Sequence, residues 1–147
     1  MSTDPYTQAT QLVDSISALP ELNKAALDRL LGVATAHVTT ALAEEQSYEA
    51  ALPTGPFSRV EVRTSNPAQT KFALVILDMR AGTQLPLSSF RSAGRIKPDM
   101  PMATNPRVPP AGTLTFIDQA KGQTVRYAFR ADTQQLHGVV VERRPTP

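Results

Sequence analysis

Few side chains in this sequence are suited to acid–base or metal chemistry. His37 and His137 are the two histidines of a 147-residue chain. Imidazole changes charge near neutrality and is a common metal ligand. These two lie far apart in sequence, and neither has a carboxylate at metal-ligand spacing. Both read as structural or surface residues. There is no cysteine, which excludes thiolate nucleophiles, disulfides, Cys-containing zinc sites and iron–sulfur ligation. No phosphate-binding loop, dinucleotide fingerprint, nucleophile elbow or His-Glu-x-x-His helix is present. Ser88 and Ser89 lack a Gly-x-Ser-x-Gly context. A Ser88, His137 and Asp78 set can be assembled on paper, but no spacing brings it together. Asp78 reads as a strand-end carboxylate that orders the next loop by accepting from Arg80 or a loop N–H. The sequence predicts no cofactor and no bound metal.

The basic side chains carry a different signal. Residues 1–50 hold seven acidic and two basic side chains, and residues 51–147 hold six acidic and thirteen basic ones. Arg59 and Arg63 share the polar parity of one predicted strand, and Arg126 and Arg130 that of another. If the strands belong to one sheet, the four align as a basic face for a partner protein with an acidic surface. A solvated sheet face would carry the same arginines with no ligand. Nucleic acid fits less well. The Lys/Arg cluster is sparse, and Tyr127 lies on the wrong parity to stack with bases.

Residues 80–111 are interrupted by Gly82, Gly94 and six prolines from Pro86 to Pro110. They read as a long surface loop, with a short strand possible at Leu85–Phe90. Its prolines restrict the backbone and reduce the ordering cost of binding. Arg91, Arg95, Lys97 and Arg107 supply charge; Phe90, Met100 and Met102 supply adaptable apolar contacts. Recognition and a tolerated insertion are both open readings of this segment.

Two local resemblances are present. Met79–Phe90 resembles the first motif of cupin barrels over about a dozen residues. Ser88 and Phe90 stand where that family has metal-binding histidines, so the resemblance implies a barrel-like sheet without metal. Tyr127-Ala128-Phe129, with Leu136 and Gly138-Val139, resembles one tyrosine-aspartate repeat of Rhs-type proteins. A single copy cannot build that shell, so it reads as a hairpin.

The elements that must position these residues follow from periodicity. Asp4-Pro5 is a helix start, and Ala9, Leu12, Val13, Ile16 and Leu19 recur at helical spacing up to Pro20. Leu27, Leu30, Leu31, Ala34, Val38, Ala41 and Leu42 predict a second, longer helix, with His37 on its flank and Leu30 and Leu31 at the centre of its stripe. Pro53 to Pro56 breaks the chain. Ser58–Thr64 alternates as a half-buried strand, Asn66-Pro67 turns, and Lys71–Met79 is apolar on both parities, as in a central strand. A meander of Thr113–Asp118, Thr124–Arg130 and Leu136–Glu142 follows, with a turn at Ala120-Lys121-Gly122. Phe57, Phe72, Phe90, Phe116 and Phe129 are candidate core anchors.

The predicted fold is α+β: one domain over 1–147, with an N-terminal helical pair (1–52) packed on an antiparallel sheet of four to six strands (57–147). The leading expectation is a small non-enzymatic interaction protein, such as an adaptor, an assembly subunit or a toxin-neutralising immunity protein. The alternatives are an enzyme or small-molecule binder with a cleft beside 80–111, and a structural component of a larger particle. No apolar run reaches the roughly 20 residues of a membrane span. Met1–Gln11 lacks the basic start and apolar stretch of a signal peptide, so the chain reads as cytoplasmic, or as a piece whose targeting segment was removed, with no membrane insertion.

Overall fold

The computed structural model describes residues 4–38, 45–65, 73–107, 112–120 and 123–143. Helix α1, Pro5–Ser17, begins as its sequence predicts. Asp4 is the N-cap and its carboxylate accepts the Thr7 N–H at 3.1 Å, with Pro5 in the first turn. Its buried stripe is Ala9, Thr10, Val13 and Ile16.

Helix α2, Lys24–Leu31, is far shorter than the apolar stripe predicts. Asn23 caps its start, and Gly32 ends it at φ +67°, a left-handed conformation that suits glycine. Thr35 then donates to the Asp28 carboxylate at 2.8 Å, turning the chain away. The β-branched residues after Gly32 favour a strand. Val38 and His37 fall in β1, Ala36–Val38, and β2 is Glu45–Ala51. Ala41 and Leu42 lie outside the described residues, as do Phe72 and the two expected turns at Asn66-Pro67 and Lys121-Gly122. Within α2 the buried residue is Leu27, whereas Leu30 is 37% exposed. The expected stripe centre is therefore one turn off.

The remaining elements are β3 (Phe57–Ser65), β4 (Ala73–Met79), α3 (Leu87–Ser92), β5 (Met102–Asn105), β6 (Thr113–Ala120), β7 (Gln123–Arg130) and β8 (Leu136–Arg143). They complete an α+β fold. The strands form one eight-stranded antiparallel sheet in the order β1-β2-β3-β4-β8-β7-β6-β5. The sheet exceeds the expected four to six strands because β1, β2 and β5 join it. Its ends, β1 and β5, do not pair with each other. The cupin-like segment is thus no barrel strand. It runs from the end of β4 through a turn and a single bridge, Pro86 to Gln135, into α3.

Helices cover one sheet face. Val60 and Val62 of β3, Val75 and Leu77 of β4, Val139 and Val141 of β8, and Val125, Tyr127 and Phe129 of β7 are buried in one cluster with Val13, Ile16, Leu27 and Phe90. The described part of the 80–111 segment, residues 80–107, belongs to this cluster as well as to the surface. Leu85, Leu87, Phe90 and Ile96 are each 3% exposed or less. The expected surface loop fails for these four, and where the sequence allows a short strand at Leu85–Phe90 the chain enters helix α3.

Candidate functional site

The eleven residues singled out by sequence separate into three groups. The first is the four strand arginines. Cross-strand register puts Glu49, Glu61, Ile76, Val140, Arg126 and Ile117 in one row from β2 to β6. Arg59, Arg63, Arg126 and Arg130 share the parity of this row, on the face that none of the described helices covers. The expected alignment on one face is present. A surplus of positive charge is not. Arg59 meets Glu49, Glu61 and Asp78, the last at 3.0 Å. Arg63 meets Glu61 at 2.6 Å, Arg126 meets Glu142 at 3.2 Å and Arg130 meets Asp132 at 2.9 Å. Glu61 is 7% exposed and also accepts from the Ser47 hydroxyl at 2.9 Å. Burial pushes its carboxyl up, but the hydrogen bonds from Arg63 and Ser47 and the charges of both arginines outweigh that and hold it below its ordinary value.

Glu49, Glu61 and Glu142 are the residues that sequence reasoning missed. Part of the signal was there: Glu61 lies between Arg59 and Arg63 on the same strand parity. Asp78 accepts from Arg59 of the neighbouring strand β3 rather than, as expected, from Arg80. The Arg80 guanidinium instead donates to the carbonyls of Leu52, Gly55 and Phe57, tying down the turn between β2 and β3.

The second group belongs to the core. Phe90 is 1% exposed, with ring centroids 5.0 Å from Tyr6, 5.6 Å from Tyr127 and 5.2 Å from Phe129. It has no surface with which to touch a partner. Arg95 forms a two-pronged pair with Asp14, 2.9 Å on each prong, and donates to the Tyr127 hydroxyl at 3.2 Å. It fastens the 80–111 segment to α1. Burial pushes the Tyr127 phenol up, against the opposing pull of Arg95.

The third group surrounds the end of the sheet. Among the described strands β5 pairs only with β6, and all four of its residues are exposed, Met102 by 50%. Met100 packs partly against the core just before it. Arg91 reaches over the Phe116 ring at 5.7 Å, directly across the register from Met102. Lys97 and Arg107 flank the strand on either side in sequence. Among the described residues, none of Arg91, Lys97 and Arg107 meets a carboxylate. Asp99 and Asp118 are exposed near the Lys97 end, where both line a shallow hollow with Lys97 and Met100.

A cleft of about 380 Å³ opens where β4 ends and β8 begins, lined in part by Asp78, Arg80, Arg130, Thr133 and His137. The β7–β8 register slips between Ala128 and Phe129, which leaves His137 as the extra residue and turns it out of the core alternation. His137 is exposed and does not share the buried side of Val139 and Val141. Gly138 allows the close approach: a Cβ there would lie 2.9 Å from the Leu77 carbonyl oxygen. The cleft brings Asp78 and His137 together. Ser88 is exposed on α3 and does not line it, while His37 sits beside Tyr48 at 5.5 Å. The Ser88, His137 and Asp78 set is therefore not assembled in this cleft. Among the described residues no three His, Asp or Glu converge as a metal site, and no helix is long and apolar enough to cross a membrane.

No protein family, curated protein or solved structure matches this chain.

Proposed function

We propose that this protein is a non-enzymatic interaction module that takes an extended acidic segment of a partner protein along the open edge of β5. The carrying observation is the coincidence at β5 of an outward backbone edge, an exposed Met102 and three cations without carboxylate partners among the described residues. An edge strand presents a row of backbone donors and acceptors ready to pair with another chain. A strand added there gains affinity from main-chain hydrogen bonds and specificity from side chains. Arg91, Lys97 and Arg107 select acidic side chains, and Met102 adapts to an apolar one. Pro101 and Pro106 bracket the strand and confine pairing to its short length, which disfavours indiscriminate sheet growth. Asp99 and Asp118, near the Lys97 end, set a preference for placing the acidic residues toward the Arg107 end. An adaptor, an assembly subunit or an inhibitor of the immunity-protein kind would use such an edge.

The test is fluorescence anisotropy with a labelled Glu-rich, Pro-free peptide, paired with amide chemical-shift mapping. Binding should perturb Met102–Asn105, weaken with salt, and be lost in the Arg91→Glu, Lys97→Glu, Arg107→Glu triple variant. Unperturbed β5 amides, or equal binding by the triple variant, would refute the reading.

A second reading rests on the cleft. Bulges cluster beside active sites, and Gln134, next to the cleft, holds φ +57° although it is not glycine. A small polar ligand there would shift the His137 ring resonances in a fragment screen. Silence at His137 across such a library would count against it.

A further inference from the structure

We infer that a second copy of this chain packs on the helix-free sheet face, about a two-fold axis that runs along the strands between β4 and β8. The first observation is apolar character on both parities of the central strands. Val75 and Leu77 face the helices, yet Leu74 and Ile76 on the other parity are also apolar. In β8, Val140 lies on that other side between the buried Val139 and Val141. Ile76 and Val140 are cross-strand neighbours, and Ile117 extends their row. A sheet with one solvated face alternates apolar and polar residues, whereas strands apolar on both parities belong to sheets covered on both sides. The described helices supply one cover.

The second observation is the distribution of charge. On the β2–β3–β4 side, Glu49, Glu61 and Asp78 outnumber Arg59 and Arg63 by one. On the β8–β7 side the strands themselves carry Arg126 and Arg130 against Glu142, and Asp132 pairs with Arg130 from the turn after β7. These strand side chains balance four to four, so the middle of the face carries no net charge to repel a second copy. The β4–β8 junction is also the midline of the sheet, with four strands on each side. A two-fold axis along that junction lays the acidic half of one copy over the basic half of the other. It also brings Ile76 and Val140 of both copies to the axis. An axis across the strands would instead set like halves together.

The third observation is size. Eight strands at a spacing of about 4.8 Å, over about six residues each, give a face of roughly 700 Å². A standard stable interface buries roughly 800 Å² per partner. The charges are already paired within each copy, so closing the interface strands none of them. Two such faces would pack as aligned sheets, about 10 Å apart.

Sedimentation velocity tests the face, and a charge exchange tests the axis. The wild-type chain should sediment as a dimer at micromolar concentration. Ile76→Lys should sediment as a monomer with an unchanged circular dichroism spectrum. Glu49→Arg and Arg126→Glu should each weaken the homodimer, because each makes facing halves alike. Mixed together they should form a heterodimer, because each half then meets its opposite. Since the chain has no cysteine, Val140→Cys gives a single thiol. A short bis-maleimide should cross-link it, while Leu30→Cys on the helical side should stay uncross-linked. A wild-type monomer at high micromolar concentration, or a dimer that survives Ile76→Lys, would overturn the proposal. A mixture that fails to form the heterodimer would overturn the axis.

Discussion

Replacing Phe90 with alanine tests whether the 80–111 segment is integral to the core. The ring is 1% exposed and touches Tyr6 of α1 and both Tyr127 and Phe129 of β7. Truncation removes the transfer free energy of the ring and leaves a cavity between a helix and the sheet. Buried Phe→Ala changes cost about 3–5 kcal/mol, and the lost ring contacts place this site toward the upper end. A domain has about 5–15 kcal/mol in total, so the variant should remain folded but weakened. For a chain of this size each kcal/mol moves the melting temperature by about 2–4 °C, giving a drop of roughly 6–20 °C. Calorimetry and urea titration should agree on that cost. Arg91→Ala, at the exposed neighbouring position, should stay within about 0.5 kcal/mol of wild type. A Phe90→Ala melt within about 2 °C of wild type would refute the assignment of this segment to the core.

Leu27→Ala should cost about 2–5 kcal/mol in urea titration, since Leu27 is fully buried, whereas Leu30→Ala, at a 37% exposed position, should cost far less. Gly138→Ala should lose about 1–3 kcal/mol because its Cβ would meet the Leu77 carbonyl oxygen at 2.9 Å; calorimetry reads it directly. For Glu61, the folded carboxyl lies below its ordinary value of 4.5, so its stabilising contribution is present above that value and is lost as pH falls through the folded one. The melting-temperature gap between wild type and Glu61→Gln should therefore be widest near neutrality and narrow below about pH 4; a constant gap would contradict the ion-pair account.

Parts of this fold could be read directly from the residues. The Asp4 cap and the Ala9, Val13, Ile16 stripe define α1 because local chemistry and burial agree there. The alternation in β3 and in the β6–β8 meander is equally local. The extension of α2 misled because Ala34 and Val38 fall at helical spacing by coincidence, while Gly32 and the β-branched residues after it set the turn. The 80–111 segment misled for another reason. Leu85, Leu87, Phe90 and Ile96 have no period of their own, and their burial is decided by α1 and β7 from far along the chain. Parity was enough to align the four arginines. Their neutralisation was hidden because Glu49 and Asp78 reach Arg59 from neighbouring strands. The open edge at β5 follows from β4 pairing with β8 and not with β5, a choice of topology that no local pattern records.

That same topology has a consequence for the order of assembly. Strands β1 to β4 pair consecutively, and so do β5 to β8, so each half can form from neighbouring hairpins. Within the first half Val62 meets Val75 across 13 residues, whereas the joint between halves brings Val75 to Val141 across 66. Loop-closure entropy grows as (3/2)RT ln n, which makes that joint about 1.4 kcal/mol harder to close. The halves should therefore gain protection from hydrogen exchange first, and the β4–β8 ladder last. Until it closes, each half exposes a hydrophobic β strand, Val75 on one and Val141 on the other, ready to pair with the wrong chain. The slowest step of folding is then also the step most open to domain swapping, in which β4 of one molecule closes on β8 of another.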